Sequence, residues 1–111
     1  MQEKKKEGKI KNIGFIFHWL PDYFENCFLN FDWDCVQFSL NYYKWKYGYA
    51  KDLYKIATNY NVPIIAMEPL AMGLFTDSEK IRQASYNFLM TLSNVKIILS
   101  GATNPIHLYD N

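Results

Sequence analysis

Three runs in this chain are apolar almost without interruption, at residues 13–17, 62–67 and 95–99. A strand with one face in water alternates polar and apolar side chains, whereas a strand covered on both faces does not. Runs this short suit strands better than helices, so they predict strands buried on both sides. Such burial is characteristic of parallel sheets, and parallel neighbours need a crossover segment between them. The intervening sequence supplies one. Apolar residues recur at helical spacing in Phe24, Cys27 and Phe28, then in Ala50, Leu53, Tyr54 and Ala57, then in Ile81, Ala84, Phe88 and Leu92. Each set forms a stripe that can lie on a sheet. Thr76 and Glu79 stand three apart, as a capping box at the start of the third helix requires. Pro21 and Pro105 suit first-turn positions, with Asn104 as the N-cap before the second.

Residues 35–41 behave differently, because Val36, Phe38 and Leu40 alternate with Gln37, Ser39 and Asn41. Periodicity alone fits equally a half-exposed antiparallel strand and a strand with a polar face turned inward. Its place in the series favours the second. Strand and helix repeated about four times, with short connections, is the pattern of successive right-handed βα units. The fold class expected is α/β, with parallel (β/α) units as in a (β/α) barrel. His18, Asn41, Glu68 and the loop at 100–104 fall at the C-terminal ends of the expected strands, where such a barrel builds its active site.

Composition narrows the function classes. Hydrophobic residues make up 50% of the 111 residues and aromatics 18%, ample for a folded core and contrary to disorder. A net charge of +1 gives no general field for nucleic acid or an anionic membrane. The Lys4, Lys5, Lys6 run reads as a solvated helix end. No apolar run approaches the roughly 18 residues that span a bilayer, and no signal core follows the basic N-terminus. A cytoplasmic location is the expectation. Cys27 and Cys35 lack metal-ligand spacing and read as reduced, buried thiols. The whole is expected to form one domain, residues 1–111.

Four stretches carry a resemblance: EGKIKNIGF at 7–15, DWDCVQ at 32–37, MEPL at 67–70 and LSGATNP at 99–105. In this order and spacing they resemble the second half of aldo/keto reductases. The similarity is greatest to the predicted prokaryotic reductases that often carry a ferredoxin-like iron–sulfur tail. The resemblance implies an NAD(P)-dependent oxidoreductase that transfers hydride between a carbonyl and an alcohol. It implies that the parallel (β/α) units make up the C-terminal half of a TIM (β/α)8 barrel, with the four strands as its fifth to eighth, running from near the end of the fourth helix into the eighth. It also implies that the catalytic Asp, Tyr, Lys and His belong to the first half of the barrel, outside this chain. Tyr42, Tyr43 and Tyr47 do not match the catalytic tyrosine's motif, so no catalytic residue is assigned and this chain alone is expected to be inactive.

The same resemblance assigns a cofactor site for NADP or NAD. Gln37 matches the sixth-strand glutamine that contacts the nicotinamide carboxamide, a task that needs one donor and one acceptor. The alternative is a polar residue that fills the lumen. Gly14 matches the fifth-strand glycine, while Ile16 stands where a serine is expected and offers no hydrogen bond. Glu68, Pro69 and Leu70 fall in the loop that wraps the pyrophosphate, with Gly73 permitting close backbone approach. A carboxylate beside phosphates repels unless screened, so Glu68 orients the loop or meets substrate. Gly101, Ala102, Thr103 and Asn104 precede the eighth helix, whose free N–H groups and dipole suit a phosphate. Asp110 and Asn111 match the pair set against adenine. Gly101 and His107 replace the basic residues that often hold the 2′-phosphate, leaving NADH and NADPH both open.

The expected partners are the nicotinamide nucleotide and either the missing N-terminal half-barrel or a second copy, because two edge strands are left unpaired. The lumen is expected to be lined by Phe15, Phe17 and Phe38 or their neighbours, together with residues 64–67. The rival from another class is a non-enzymatic half-barrel that binds nucleotide or mediates subunit interaction. A split or truncated gene product without an independent role is a third.

Overall fold

The computed structural model describes residues 1–102 together with 105 and 106. Four strands, β1 (Gly14–Phe17), β2 (Cys35–Ser39), β3 (Ile64–Met67) and β4 (Val95–Leu99), form one parallel sheet in chain order. Among the described residues β1 and β4 are its edges. The helices α1 (Gln2–Lys6), α2 (Pro21–Leu29), α3 (Tyr42–Tyr47), α4 (Ala50–Asn59) and α5 (Glu79–Met90) precede the sheet or connect its strands. Parallel pairing in strand order with a helical crossover at each step is the architecture of a partial (β/α) barrel. The alternating segment 35–41 therefore is a parallel strand and not an antiparallel one.

Register divides the strands into two faces. Phe17, Phe38, Ala66 and Ile98 align across the sheet, as do Ile16, Gln37, Ile65 and Ile97. The first row, with Val36 and Ile64, belongs to the core beneath the helices, where Phe24 and Phe28 of α2, Leu53 and Ala57 of α4 and Leu89 of α5 meet it. Phe24 is fully buried there, with ring centroids 4.7 Å from Phe17 and 5.6 Å from Phe38. Such tilted and edge-on pairs are the favoured aromatic geometry. The second row forms the opposite face, on which Ile16 is 59% exposed and Ile97 50%. This corrects the expected lumen lining. Phe15, Phe17 and Phe38 point to the helices, and the face that a barrel would enclose carries Ile16, Gln37, Ile65, Met67, Ile97 and Leu99.

Two helix expectations are also corrected. Ser78, not Thr76, caps α5: its hydroxyl accepts from the Ile81 N–H at 3.3 Å, while the Thr76 hydroxyl donates to the Gly73 carbonyl. Serine in an extended conformation immediately before the first turn is the better-placed acceptor. The buried residues of α5 are Ser85, Tyr86 and Leu89, whereas Ile81 and Ala84 are exposed and Phe88 packs at the margin. The Ser85 hydroxyl donates to the Pro69 carbonyl at 2.5 Å, which ties that side of the helix to the loop after β3. Pro21 opens α2 as expected. The cap assigned to Asn104 lies outside the described residues.

Gly14 has a packing reason of its own. A Cβ there would lie 2.8 Å from the Cys35 carbonyl oxygen and closer still to its sulfur, so only glycine lets β1 approach β2 at that register. Immediately before the same strand pair, Asp34 accepts from the Ile13 N–H at 2.7 Å and pairs with Lys5 of α1. The Lys5 ammonium, followed by the Ile13 amide, holds the Asp34 carboxyl below its usual range. The short, exposed α1 with its Lys4, Lys5, Lys6 end is thereby tied to the start of the sheet.

Candidate functional site at the strand ends

The polar residues that follow β2 and β3 converge. Asn41 is fully buried and serves two loops at once. Its Oδ1 accepts from the Lys44 N–H at 2.9 Å, capping α3, and its Nδ2 donates to the Glu68 carbonyl at 2.9 Å. The Glu68 carboxylate accepts from the Ser39 hydroxyl and from the Lys44 ammonium, the latter at 3.1 Å. Burial acts to raise the Glu68 carboxyl and is the largest single influence. The Ser39 hydroxyl, the Lys44 hydrogen bond and charge, and the charge of His18 together outweigh it, leaving the carboxyl below its usual range. Glu68 is therefore ionised at neutral pH and neutralised at short range.

The loop after β3 adopts an unusual backbone. Glu68, Ala71 and Met72 have φ of 57°, 51° and 56°, and Gly73 has 98°. Left-handed conformations at non-glycine residues cost on the order of 1–3 kcal/mol each and persist only where surrounding contacts fix them. Here the fixing contacts are the Asn41 bond to the Glu68 carbonyl, the Ser85 bond to the Pro69 carbonyl, and the Leu70 carbonyl, which accepts from Gly73 and Phe75. Gly73 is needed for its φ and not for crowding, because a Cβ there would meet nothing within 4 Å.

Gln37 stands one turn of the strand pleat below Ser39, on the open face. Its Nε2 contacts the Met67 sulfur at 3.4 Å, and a thioether is a weak acceptor. Gln37, Glu68 and Leu70 thus lie on neighbouring strands or the loop between β3 and α5. Gly101 and Ala102 are exposed beyond the end of β4, past Ser100, whose hydroxyl shares a 2.5 Å hydrogen bond with Tyr86 of α5. Thr103, Asn104, His107, Asp110 and Asn111 lie outside the described residues.

A profile of the aldo/keto reductase family matches residues 1–89. The chain belongs to the aldo/keto reductase family. The parallel (β/α) units agree with membership, and Gln37, Glu68 and Leu70 fall inside the matched span. A comparison with curated proteins finds no match. Family members generally use nicotinamide nucleotides. Burial raises the thiols of Cys27 and Cys35, which are free and half-buried. Among the described residues no group of three or more His, Cys, Asp or Glu is placed to hold a metal, and no helix is long and apolar enough to cross a membrane.

Asn41, Ser39 and Lys44 organise the site, and of the three the sequence marks Asn41 as a polar residue at a strand end without indicating its contacts. A usable signal was present for one of them: asparagine at the end of a strand, with a helical segment after it, is a favoured N-cap. Nothing local marked the pairing of Ser39 and Lys44 with a glutamate more than twenty residues away.

Proposed function

We propose that this chain is the C-terminal half of an NAD(P)-dependent aldo/keto reductase barrel, with β1 to β4 as its fifth to eighth strands. In this reading Gln37 meets the nicotinamide carboxamide, the loop at Glu68 and Leu70 borders the pyrophosphate, and residues 101–104 receive a phosphate. His107, Asp110 and Asn111 lie toward the adenosine end. The observation that carries the reading is the Gln37 amide on the open sheet face, engaged among the described residues by a thioether at 3.4 Å. A carboxamide offers it a stronger donor and acceptor pair. The electrostatics fit as well, since Glu68 is bonded to Lys44 and does not present an uncompensated negative charge to phosphates.

The bound nucleotide supplies the hydride, and this chain's residues hold and orient it. The proton donor lies in the other half of the barrel. Purified chain is therefore expected to give no oxidation of NADH or NADPH with aldehydes or ketones above a buffer blank, and turnover that survives repurification overturns this assignment. Binding is expected to be weak and led by the adenosine end. Calorimetry in which ADP binds no better than nicotinamide mononucleotide would remove residues 101–111 from the cofactor site.

A second reading, a half-barrel that acts through association, is favoured by the open sheet face. Ile16, Ile97 and Leu99 are 59%, 50% and 44% exposed, and β1 and β4 are both unpaired on one side among the described residues. Open apolar edges template pairing. A complementary half-barrel or a second copy would pair both edges and cover the face. Sedimentation equilibrium at low micromolar concentration tests it: a monomer with cooperative melting and sharp near-ultraviolet dichroism excludes association as the chain's role.

A further inference from the structure

On the helix side of the sheet, away from Gln37, a cavity of about 350 Å³ opens between the turn after β1 and the turn that joins α3 to α4. It exists because α3 stops at Tyr47 and α4 starts at Ala50 with a methyl side chain, so no large residue fills the space above the strand ends. Phe17, Phe38 and Leu53 form its floor and are buried. Its rim carries Trp19, Tyr43 and Tyr47, which are 68%, 47% and 67% exposed. The two tyrosine rings stand 5.3 Å apart. Large rings gathered around an apolar hollow are costly to leave in water and mark sites of recognition.

Lys44 is the charged residue of the lining, and no carboxylate is among the lining residues. Glu68 bonds the Lys44 ammonium at 3.1 Å, but an ammonium has three donors, so capacity for a second anion remains. A volume at the lower end of small-molecule sites suits a ligand of one or two rings. We propose that this cavity binds a small, flat aromatic carboxylate, its ring between the rim aromatics and its carboxylate on Lys44. The cavity shares Ser39 and Lys44 with the Glu68 cluster, while Gln37 stands on the opposite face of the sheet, and the proposal does not rest on the nicotinamide reading.

The test is titration of the full chain with 2-naphthoate by calorimetry, beside 2-naphthylmethanol and decahydro-2-naphthoate. Naphthoate is expected to saturate one site, with the neutral alcohol and the non-flat acid each about tenfold weaker or more. Tyr47→Ser and Trp19→Ser alter exposed rim residues without touching the core and are expected to weaken naphthoate about tenfold. Lys44→Gln should abolish the preference for acid over alcohol, a change that simple loosening of the loop would not produce. The proposal is overturned if uptake is unsaturable, if decahydro-2-naphthoate binds as well, or if both rim variants keep full affinity. Displacement of naphthoate by ADP or nicotinamide mononucleotide would show that the cavity is part of the nucleotide site and overturn the proposal.

Discussion

The two faces of the sheet are built from similar residues and have opposite fates. On the helix side, Phe17, Phe38 and Ala66 are packed beneath α2, α4 and α5; on the other, Ile16, Ile97 and Leu99 stand in the open. Hydrophobicity does not distinguish them, since isoleucine and leucine are as apolar as the residues on the covered side. What differs is whether the chain provides a layer to cover them. Every crossover helix of a (β/α) unit lies on one side, so four units complete one interface and leave the other to strands outside this sheet. The covered face holds the fold together, and the open face with its strand-end loops holds the candidate chemistry.

The largest effect that tests this contrast comes from truncating one residue on each face. Phe38→Ala removes a fully buried ring and is expected to cost about 3–5 kcal/mol. Ile97→Ala, half exposed, should cost under about 1 kcal/mol in the isolated chain. Urea melts of both variants measure the difference, and comparable losses would show that the open face is covered in solution.

A smaller effect is expected where the two regions meet. Asn41→Ala removes the α3 cap and the donor to the Glu68 carbonyl together, for a loss of about 2 kcal/mol. The left-handed loop at 68–73 should loosen with it, and faster amide exchange there than in α5 would register the change. Unaltered exchange in the loop would mean that Ser85 alone fixes it.

The cap of α5 gives a finer comparison. Ser78→Ala is expected to cost about 1 kcal/mol and Thr76→Ala clearly less, because Thr76 serves only the exposed Gly73 carbonyl. A thermal melt in which Thr76→Ala is the more damaging would restore the capping box at 76–79.

The smallest effect is electrostatic. The Glu68 carboxyl is lowered in the fold, so its contribution is present above the ordinary glutamate value of 4.5 and is lost as pH falls through the lower folded value. Partial exposure screens it. Glu68→Gln should therefore flatten the acid branch of the stability curve slightly, and an unchanged acid branch would mean that Asp34, whose carboxyl is also lowered, accounts for that branch.

The strands at the apolar runs and the helices at 21–29 and 50–59 were legible because their causes are local. Runs such as 95–99 admit little but a buried strand, and the Ala50, Leu53, Ala57 stripe repeats within a few turns. The alternation at 35–41 announced which residues would be polar-facing, and Gln37 and Ser39 do share the open face. The family resemblance drew attention to Glu68 and Leu70 as well. It conveyed nothing of Asn41 holding that loop, because the bond joins residues 27 apart in sequence.

What the sequence determined by itself was the order of elements and their βα repeat, written in local spacing, and the family, through the resemblance of four ordered stretches between residues 7 and 105. Tertiary structure alone decided which way β1 faces. In residues 13–17 both sides are apolar, so no alternation marks the inner one, and Phe15 and Phe17 were assignable only once the register with Val36 and Phe38 fixed them against α2. The same holds for α5, where the stripe read from spacing lies beside the one that is buried. A helix with apolar residues on adjoining faces takes its final rotation from its neighbours, here from the Ser85 bond to Pro69 and from the sheet beneath Leu89. Periodicity states that a surface will be buried, but the partner that buries it is a property of the folded chain.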